Sequence, residues 1–197
     1  MSHYFNSPAG TDATHEVRAT IWDRDYVFTS SGGVFSSYRL DPGTSVLFRL
    51  TEPPADRHAR FLDLGCGFGP VAAALARECP RAWVDAVDTN SRALELTRTN
   101  AERLGVGDRV RAFLPEAAGE DRYDEIWSNP PIRIGKAALH DLLAYWLNRL
   151  TPDGKATMVV GKNLGADSLS EWLRAQGWSV TRLGSAKGFR VLCVTSK

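Results

Sequence analysis

The sequence has few cysteines and no long apolar run. Its three cysteines, Cys66, Cys79 and Cys193, are odd in number and far apart, so they indicate neither a disulfide framework nor the ligand spacing of a zinc site. No apolar segment approaches the ~18 residues of a membrane-spanning helix. The first ten residues are polar, so we expect no signal peptide. These absences predict a cytoplasmic protein without a membrane span or a structural metal.

Net charge is also nearly absent. The 197 residues include 24 lysines and arginines and 23 aspartates and glutamates, which leaves a net charge of +1. This balance does not by itself indicate a nucleic-acid-binding protein, so any basic surface must be local. The sequence contains no internal repeat and no low-complexity segment. Its length predicts one domain, with room for a small extension.

What the sequence does contain is an alternation of strand-like and helix-like segments. The predicted strands span residues 60–64, 82–88, 109–113, 123–128, 155–160, 178–183 and 189–195. The predicted helices span residues 70–79, 91–104, 136–150 and 168–176, and the last has a capping box at Ser168 and Glu171. Such alternation predicts a Rossmann-like α/β fold, a parallel sheet with helices on both faces. A short link at 184–188 joins the last two strands, so they must be antiparallel.

A different pattern precedes this alternation. Residues 17–21 and 26–29 are strand-like around a polar turn, which predicts a β-hairpin. A short apolar helix is predicted at 45–50, after Asp41-Pro42-Gly43-Thr44. We therefore divide the chain into residues 1–55, an N-terminal arm, hairpin and short helix packed on the core, and residues 56–197, the main domain.

A glycine-rich turn follows the first strand of the main domain. Residues 63–69 read Asp-x-Gly-x-Gly-x-Gly. Glycines let the backbone turn sharply and let a ligand approach the main chain. The dinucleotide fingerprint requires Gly or Ala at the position of Pro70, so the pattern disfavours NAD.

An acidic residue ends the second strand of the main domain. Asp88 lies about twenty residues after the turn, where a carboxylate can accept hydrogen bonds from both ribose hydroxyls of a nucleoside. The alternative is that Asp88 caps the next helix, although Asn90 or Ser91 can fill that position. Asp85, on the same strand, is expected to be solvated or to face a partner.

Residues 123–132 are the stretch in which we place the chemistry. A short strand is predicted to end at Ser128, and Asn129-Pro130-Pro131 follows. Each proline has a fixed φ, lacks an N–H and pushes the residue before it into an extended conformation. The corner therefore offers two acceptors, the Asn129 side-chain oxygen and the Pro130 carbonyl, which suit the two N–H bonds of a planar amino group. The alternative is a tight loop without chemistry, because Asn-Pro commonly begins turns.

In combination these motifs resemble those of class I amino-group methyltransferases. Residues 63–69, Val87-Asp88 and residues 128–132 have the order and spacing of that family. The closer similarity is to small-subunit rRNA methyltransferases of the C type, the "MTS" domain. Three segments are typical of that subgroup: Gly33-Val34-Phe35-Ser36, Asp41-Pro42-Gly43-Thr44 and Lys187-Gly188-Phe189-Arg190-Val191. The resemblance implies a seven-stranded sheet with the last strand antiparallel, S-adenosylmethionine as cofactor, and methyl transfer to the 2-amino group of a guanine in 16S rRNA.

The resemblance also implies which residues form the site. The catalytic residues are Asn129 and Pro130, and the following bind the cofactor: Asp63, Gly65, Cys66, Gly67, Gly69, Asp88, Thr89 and Glu116. Glu116 is the candidate for the adenine amino group, and Leu114 is an alternative that packs on the adenine ring. Position 132 departs from the family, because Ile132 stands where an aromatic residue is usual. Either Ile132 makes a looser apolar contact with the target base, or Phe189, Tyr38 or Phe35 stacks on it.

Residues that contact the acceptor follow from the topology. Active sites of open α/β sheets lie beyond the carboxyl ends of the parallel strands. That edge is predicted to carry Pro131, Ile132, Arg133, Lys136, Lys162, Lys187 and Phe189. With Arg190 it gathers five basic side chains, which can neutralise RNA phosphates, although the alternative for each is a solvated surface charge. We therefore expect RNA as the partner, as 16S rRNA or the 30S subunit, with the target base unstacked.

Other functions stay open at this point. The same chemistry can act on a glutamine amide of a protein such as a release factor, on the amino group of adenine in DNA, or on a small molecule. A cofactor-binding domain without catalysis, which serves as an RNA-binding module, is an alternative of a different class. A NAD-dependent oxidoreductase is disfavoured by Pro70 and by the reversed last strand. His140 lies inside a predicted helix and is expected to be a surface or packing residue.

Overall fold

The computed structural model describes residues 13–34, 36, 38–131 and 134–196. In chain order the elements are β1 Thr14–Ile21, β2 Arg24–Ser31, α1 Pro42–Arg49, β3 Ala59–Leu64, α2 Pro70–Glu78, β4 Ala82–Val87, α3 Ser91–Arg103, β5 Val110–Phe113, β6 Tyr123–Ser128, α4 Lys136–Leu147, β7 Leu150–Gly161, α5 Ala166–Ala175, β8 Ser179–Ala186 and β9 Phe189–Thr195. Short 3₁₀ helices lie at Pro115–Ala117 and Lys162–Leu164. Among the described residues, no helix combines the length and the apolar character needed to cross a membrane.

Seven strands form one twisted sheet in the order β5-β4-β3-β6-β7-β9-β8. The pairs from β5 through β7 are parallel, whereas β9 is antiparallel to both β7 and β8. The predicted Rossmann-like methyltransferase sheet with a reversed last strand is therefore confirmed. Strand order reverses between β3 and β6, and in such sheets the crevice beyond the strand ends at the reversal is where ligands bind.

Helices cover both faces of this sheet. On one face, β1, β2, α1, α2 and α3 share a hydrophobic core, to which the hairpin contributes the buried side chains of Val17, Ile21, Tyr26 and Phe28. On the other face, α4 and α5 pack over the central strands. The hairpin itself is the predicted one, and it turns at Trp22 and Asp23, both with positive φ. The division of the chain at residue 55 stays a prediction.

Several predicted boundaries were wrong. The capping box at Ser168 does not begin a helix: α5 starts two residues earlier, after Gly165, whose φ of 102° favours glycine. Ser168 lies inside the helix and donates its hydroxyl to the Gly165 carbonyl. The helix predicted at 45–50 begins at Pro42, because the Asp41 side chain accepts hydrogen bonds from the first free backbone N–H groups. The link predicted at 184–188 is shorter, since β8 extends to Ala186.

Asp85 is buried, which contradicts the prediction that it is solvated or faces a partner. Its carboxylate accepts hydrogen bonds from Arg60, Arg111 and the Tyr123 hydroxyl, at 2.8–3.3 Å. The carboxylate is thus compensated by two guanidinium groups, as a buried charge requires. Asp121, in the connection from β5 to β6, forms ion pairs with the same two arginines.

Candidate active site

The glycine-rich turn and the Asn-Pro-Pro corner meet at the point where strand order reverses. They follow the neighbouring strands β3 and β6, whose last residues Leu64 and Ser128 are paired. The Ser128 hydroxyl donates to the Leu64 carbonyl at 2.7 Å and ties the two strand ends together. A methyl group on Gly65 would lie 3.9 Å from the Asn129 carbonyl oxygen. The tertiary structure therefore joins two motifs that are about sixty residues apart in the chain.

The turn that follows β3 has a backbone suited to glycine. Gly65, Gly67 and Gly69 all have φ between 56° and 86°. A methyl group added at Gly67 would meet no protein atom within 4 Å, whereas one at Gly69 would come within 2.9 Å of Thr97. Gly69 is thus required for packing against α3, and Gly67 leaves the main chain open to a ligand.

Asp88 connects this turn to the start of α3. One carboxylate oxygen accepts from the Gly67 N–H and the other from the Asn90 N–H, each at 2.9 Å. The cap of α3 is Asn90, which accepts from the Arg92 N–H, so Asp88 is not the helix cap. Each oxygen keeps a free lone pair, and Thr89 beside it is exposed. The ribose-binding roles of Asp88 and Thr89 stay predictions.

Asp63 and Cys66 lie beneath the turn rather than in the open crevice. Burial raises the pKa of the Asp63 carboxyl to about 7, although the Ala72 N–H donates to it at 2.9 Å. Burial also raises the pKa of the Cys66 thiol, which lies 3.5 Å from the Thr97 hydroxyl. Cys66 is therefore a neutral packing residue and not a nucleophile, and only its backbone is available for binding.

Glu116 lies at the end of β5, two strands from the reversal point. It is exposed in the 3₁₀ helix Pro115–Ala117, and Leu114 before it packs on the core that contains α2 and α3. This position is at the correct edge of the sheet for a group that meets adenine. The choice between Glu116 and Leu114 stays open.

The side chain of Asn129 forms hydrogen bonds with two residues at the start of α1. Its Nδ2 donates to Asp41 Oδ1 at 2.6 Å and to Thr44 Oγ1 at 3.1 Å. Pro130 is buried and Pro131 is exposed. Sequence reasoning missed Asp41 and Thr44 as site residues. The only signal was the Asp-Pro-Gly-Thr segment itself, which is separated from Asn129 by 88 residues.

Among the candidates for a base-stacking ring, Phe189 lies beside the corner. Its Cε1 would be 3.1 Å from a methyl group placed on Gly43, and that methyl would also be 3.3 Å from Asn129 Nδ2. Tyr38 is instead exposed and stacks on His15, with ring centroids 4.6 Å apart. Ile132, Arg133 and Phe35 lie outside the described residues.

The basic residues of the predicted RNA edge differ in their exposure and in their ion pairs. Lys136 begins α4, Lys162 follows β7, and Lys187 occupies the β8–β9 turn; all are exposed. Arg190 forms an ion pair with Asp167, so its charge is partly neutralised. An open cavity of about 540 Å³ lies at this edge, lined by Lys162, Arg182, Leu183, Gly184, Ser185 and Arg190. Arg182 was not predicted, because it lies in the middle of an ordinary strand pattern.

His140 lies on α4, where it lines a smaller cavity of about 120 Å³ together with Lys136. It stacks on Trp172 with ring centroids 3.9 Å apart, and desolvation lowers its pKa. It is a packing residue on α4, as expected from its position in a helix.

The chain is similar in sequence to known methyltransferases. The family model described as "Methyltransferase small domain" matches residues 25–193. The "Uncharacterized protein YbxB" of Bacillus subtilis is 29% identical over 195 residues, which are 96% of each chain. The ribosomal RNA small subunit methyltransferase C of Hahella chejuensis is 34% identical over 163 residues, 81% of this chain and 46% of that protein. This chain thus spans about half the length of that relative.

The fold is also found in solved structures. The 16S rRNA N2 G1207 methyltransferase of Thermus thermophilus, in complex with AdoMet and guanosine, superposes with a TM-score of 0.77 at 24% sequence identity. The match covers 95% of this chain and 52% of that one, and it shows a shared fold.

Proposed function

From the premise that this chain belongs to the methyltransferase small domain family of S-adenosylmethionine-dependent methyltransferases, we propose that it methylates the 2-amino group of a guanine in 16S rRNA. The observation that carries the proposal is the contact between the glycine-rich turn and the Asn129 corner at the reversal point of the sheet. A ligand on the turn and an amino group on the corner would be neighbours. Two of the similar proteins described above, those of Hahella chejuensis and Thermus thermophilus, have names of small-subunit rRNA methyltransferases, which supports rRNA as the acceptor.

The residues around the turn fit S-adenosylmethionine. The open main chain at Gly67 and the remaining lone pairs of Asp88 suit the ribose, and Gly65, Gly69, Cys66 and Asp63 shape the turn beneath the methionine part. Thr89 and Glu116 would complete the nucleoside side. The bound cofactor supplies an already activated methyl group.

The chain's contribution to transfer is therefore mainly positioning. The Asn129 side-chain oxygen and the Pro130 carbonyl accept the two N–H bonds of the target amino group and direct its lone pair toward the cofactor. Well-oriented reactants can gain about 7–11 kcal/mol in this way. No strong general base is required, because the amine becomes acidic only after transfer. The described part of the site agrees with this, since the Cys66 thiol is held neutral by burial and His140 is stacked elsewhere.

RNA as the substrate is supported by the edge beyond β7, β8 and β9. Lys162 and Arg182 line the open cavity there, and within the described residues neither has an ion-pair partner. Unpaired cations on a nearly neutral protein are a local site for phosphates. Pro131 belongs to the corner and Phe189 lies beside it, while Lys136 and Lys187 are exposed at the start of α4 and in the β8–β9 turn. We expect the unstacked base to enter among these residues.

The test is methyl transfer from labelled S-adenosylmethionine to naked 16S rRNA, 30S subunits and total tRNA, followed by nucleoside analysis. We expect N2-methylguanosine in 16S rRNA or in the subunit, and none with Asn129→Ala. Release factor and duplex DNA are included as competing acceptors. Label in a glutamine amide or in adenine would contradict the guanine proposal and identify the acceptor instead.

A further inference from the structure

Both amide hydrogens of Asn129 are already used within the protein. One is donated to Asp41 Oδ1 and the other to Thr44 Oγ1. A carboxamide has two donor hydrogens on nitrogen and two acceptor lone pairs on oxygen. With the hydrogens engaged, only the oxygen of Asn129 remains for a ligand, so this residue can accept hydrogen bonds but cannot donate them.

Asp41 also determines which way the amide faces. A carboxylate only accepts, so a rotated amide would place the Asn129 oxygen against Asp41 Oδ1, at the 2.6 Å distance where nitrogen now lies. Two electronegative acceptors at that distance repel each other. An asparagine without such a neighbour is free to present either end.

The Asp41 carboxylate is itself held in place. Its Oδ1 accepts from the Gly43 N–H at 2.8 Å and the Thr44 N–H at 3.1 Å, and its Oδ2 accepts from the Ser36 hydroxyl at 3.2 Å. These contacts make Asp41 the N-cap of α1, where the helix dipole favours a negative charge. The orientation of Asn129 is therefore set before an acceptor arrives.

We propose that Asp41, assisted by Thr44, is the positioning residue that gives the Asn129 corner its polarity, so that the site takes a primary amine or amide through its N–H bonds. This inference rests on the proposed function. Asp41 does not contact the reacting atoms; it acts through Asn129. The consequence for specificity is that a group without donor hydrogens has no partner at this corner, and that a primary amine or amide can use both acceptors where a hydroxyl can use one.

The decisive experiment is a double-mutant cycle with Asp41→Gly, Asn129→Asp and both together. Glycine in place of aspartate at an N-cap costs little stability, so Asp41→Gly removes the carboxylate and preserves α1. We expect kcat to fall about tenfold in Asp41→Gly and about a hundredfold or more in Asn129→Asp, where two carboxylates face each other. In the double variant the carboxylate at 129 no longer faces a second one, and we expect at least a tenfold recovery over Asn129→Asp.

Affinity for S-adenosylhomocysteine and the melting temperature of all three variants are expected to stay close to those of the wild type. Ser36→Ala is the matched control: it removes the contact to the other carboxylate oxygen, and its kcat should stay within about threefold of the wild type. A double variant no better than Asn129→Asp, with additive effects on kcat, would overturn the inference, as would an unchanged kcat in Asp41→Gly.

A second readout does not depend on the acceptor. The side-chain amide signal of Asn129 in ¹⁵N-labelled protein is assigned by its loss in Asn129→Asp, and its hydrogen exchange is compared with that of buried Asn100. We expect exchange at Asn129 to accelerate at least about tenfold in Asp41→Gly while Asn100 is unchanged. If no RNA is methylated but this acceleration occurs, the proposed function fails and the Asp41 inference stands. Equal exchange in both proteins would refute the inference whatever the substrate.

Discussion

At the scale of single residues, Asp88 and Asn129 follow β4 and β6, the strands on either side of β3. Asp88 contacts the main chain of the glycine-rich turn, whereas Asn129 contacts the start of α1. The two side chains therefore belong to different halves of the crevice. This separation predicts separate roles, Asp88 in holding the cofactor and Asn129 in transfer.

We expect Asp88→Ala to weaken binding of S-adenosylhomocysteine by roughly 10- to 100-fold, since hydrogen bonds to a charged group contribute about 1.5–3 kcal/mol. Asn129→Ala should leave that affinity within about threefold of wild type but abolish measurable transfer. Titration calorimetry and a labelled-methyl assay check both. Asp108→Ala, at an exposed position, is the control. Equal loss of binding in the Asp88 and Asn129 variants would contradict the division of roles.

Asp63 predicts a pH effect on stability. Its ordinary pKa of 3.8 rises to about 7 on burial, so the folded state binds a proton that the unfolded state has lost. The stability contributed by the protonated form is present below about pH 4 and is lost as the pH rises to about 7. About three pH units at 1.36 kcal/mol each amount to about 4 kcal/mol.

The measurement for Asp63 is urea unfolding of the wild type and of Asp63→Asn at several pH values between 4 and 8. Asparagine keeps an acceptor for the Ala72 N–H, so the variant should gain stability relative to wild type as the pH rises and converge with it near pH 4. The remaining titrating groups are common to both proteins and cancel in the difference. A difference independent of pH would show that the Asp63 pKa is near its ordinary value.

At the scale of elements, α1 links the N-terminal segment to the chemistry. It contributes Val46, Leu47 and Phe48 to the core, and its first turn contacts both Asn129 and Phe189. Gly43 is in this turn because a side chain there would crowd the Asp41 carboxylate, the phenyl ring and the amide, at 2.9–3.3 Å. The helix therefore packs in the core and also borders the site.

We expect Gly43→Ala to reduce kcat about tenfold without lowering the melting temperature. Alanine is the better helix former, which offsets a shift of the Asp41 cap, and the added methyl group also crowds Phe189 and Asn129 rather than the core. Thermal unfolding combined with steady-state kinetics separates the two effects. Arg49→Ala, at the exposed end of the same helix, controls for a general change in α1. Unchanged kinetics in Gly43→Ala would show that the contact has no role in transfer.

The glycine-rich turn depends on the hairpin through one residue of α3. Buried Asn100 accepts from the Thr29 N–H and donates to the Thr29 and Phe68 carbonyls, at 2.7–2.9 Å. The hairpin, α3 and the turn are therefore joined by hydrogen bonds as well as by shared apolar packing.

At the scale of the whole molecule, the charge distribution matters more than the net charge. The chain carries only +1 overall, but Lys162 and Arg182 face the same open cavity. Steering of RNA to the site must then arise from this edge, and salt should weaken it strongly.

We expect the double variant Lys162→Ala/Arg182→Ala to bind 16S rRNA more weakly and with a smaller dependence on salt. Each lost phosphate contact lowers the slope of log affinity against log salt concentration by about 0.7–0.9. Filter binding at salt concentrations between about 50 and 300 mM measures the slope. Arg18→Ala, on the exposed side of the hairpin, is the matched control and should leave it unchanged. An unaltered slope in the double variant would place the RNA elsewhere.

Local sequence pattern was enough to predict the strands and helices of the main sheet, the reversed last strand, the glycine-rich turn and the Asn-Pro-Pro corner. These depend on local spacing, on glycine and proline backbone restrictions, and on short connections, all of which operate within a few residues. One predicted boundary in the main domain was nevertheless wrong. The helix predicted to begin at Ser168 begins directly after Gly165, whose left-handed conformation precedes the first turn of α5.

Which side chains meet is visible only in the folded structure. It placed Asp41 against Asn129 across 88 residues, buried Asp85 between arginines of two neighbouring strands, brought Phe189 rather than Tyr38 beside the corner, and put Arg182 into the cavity with Lys162. The members of each pair are far apart in the chain, so the periodicity of a helix or a strand cannot predict their contact. They arise because the fold brings strands and turns that are distant in the chain side by side, and that proximity depends on strand order rather than on local pattern.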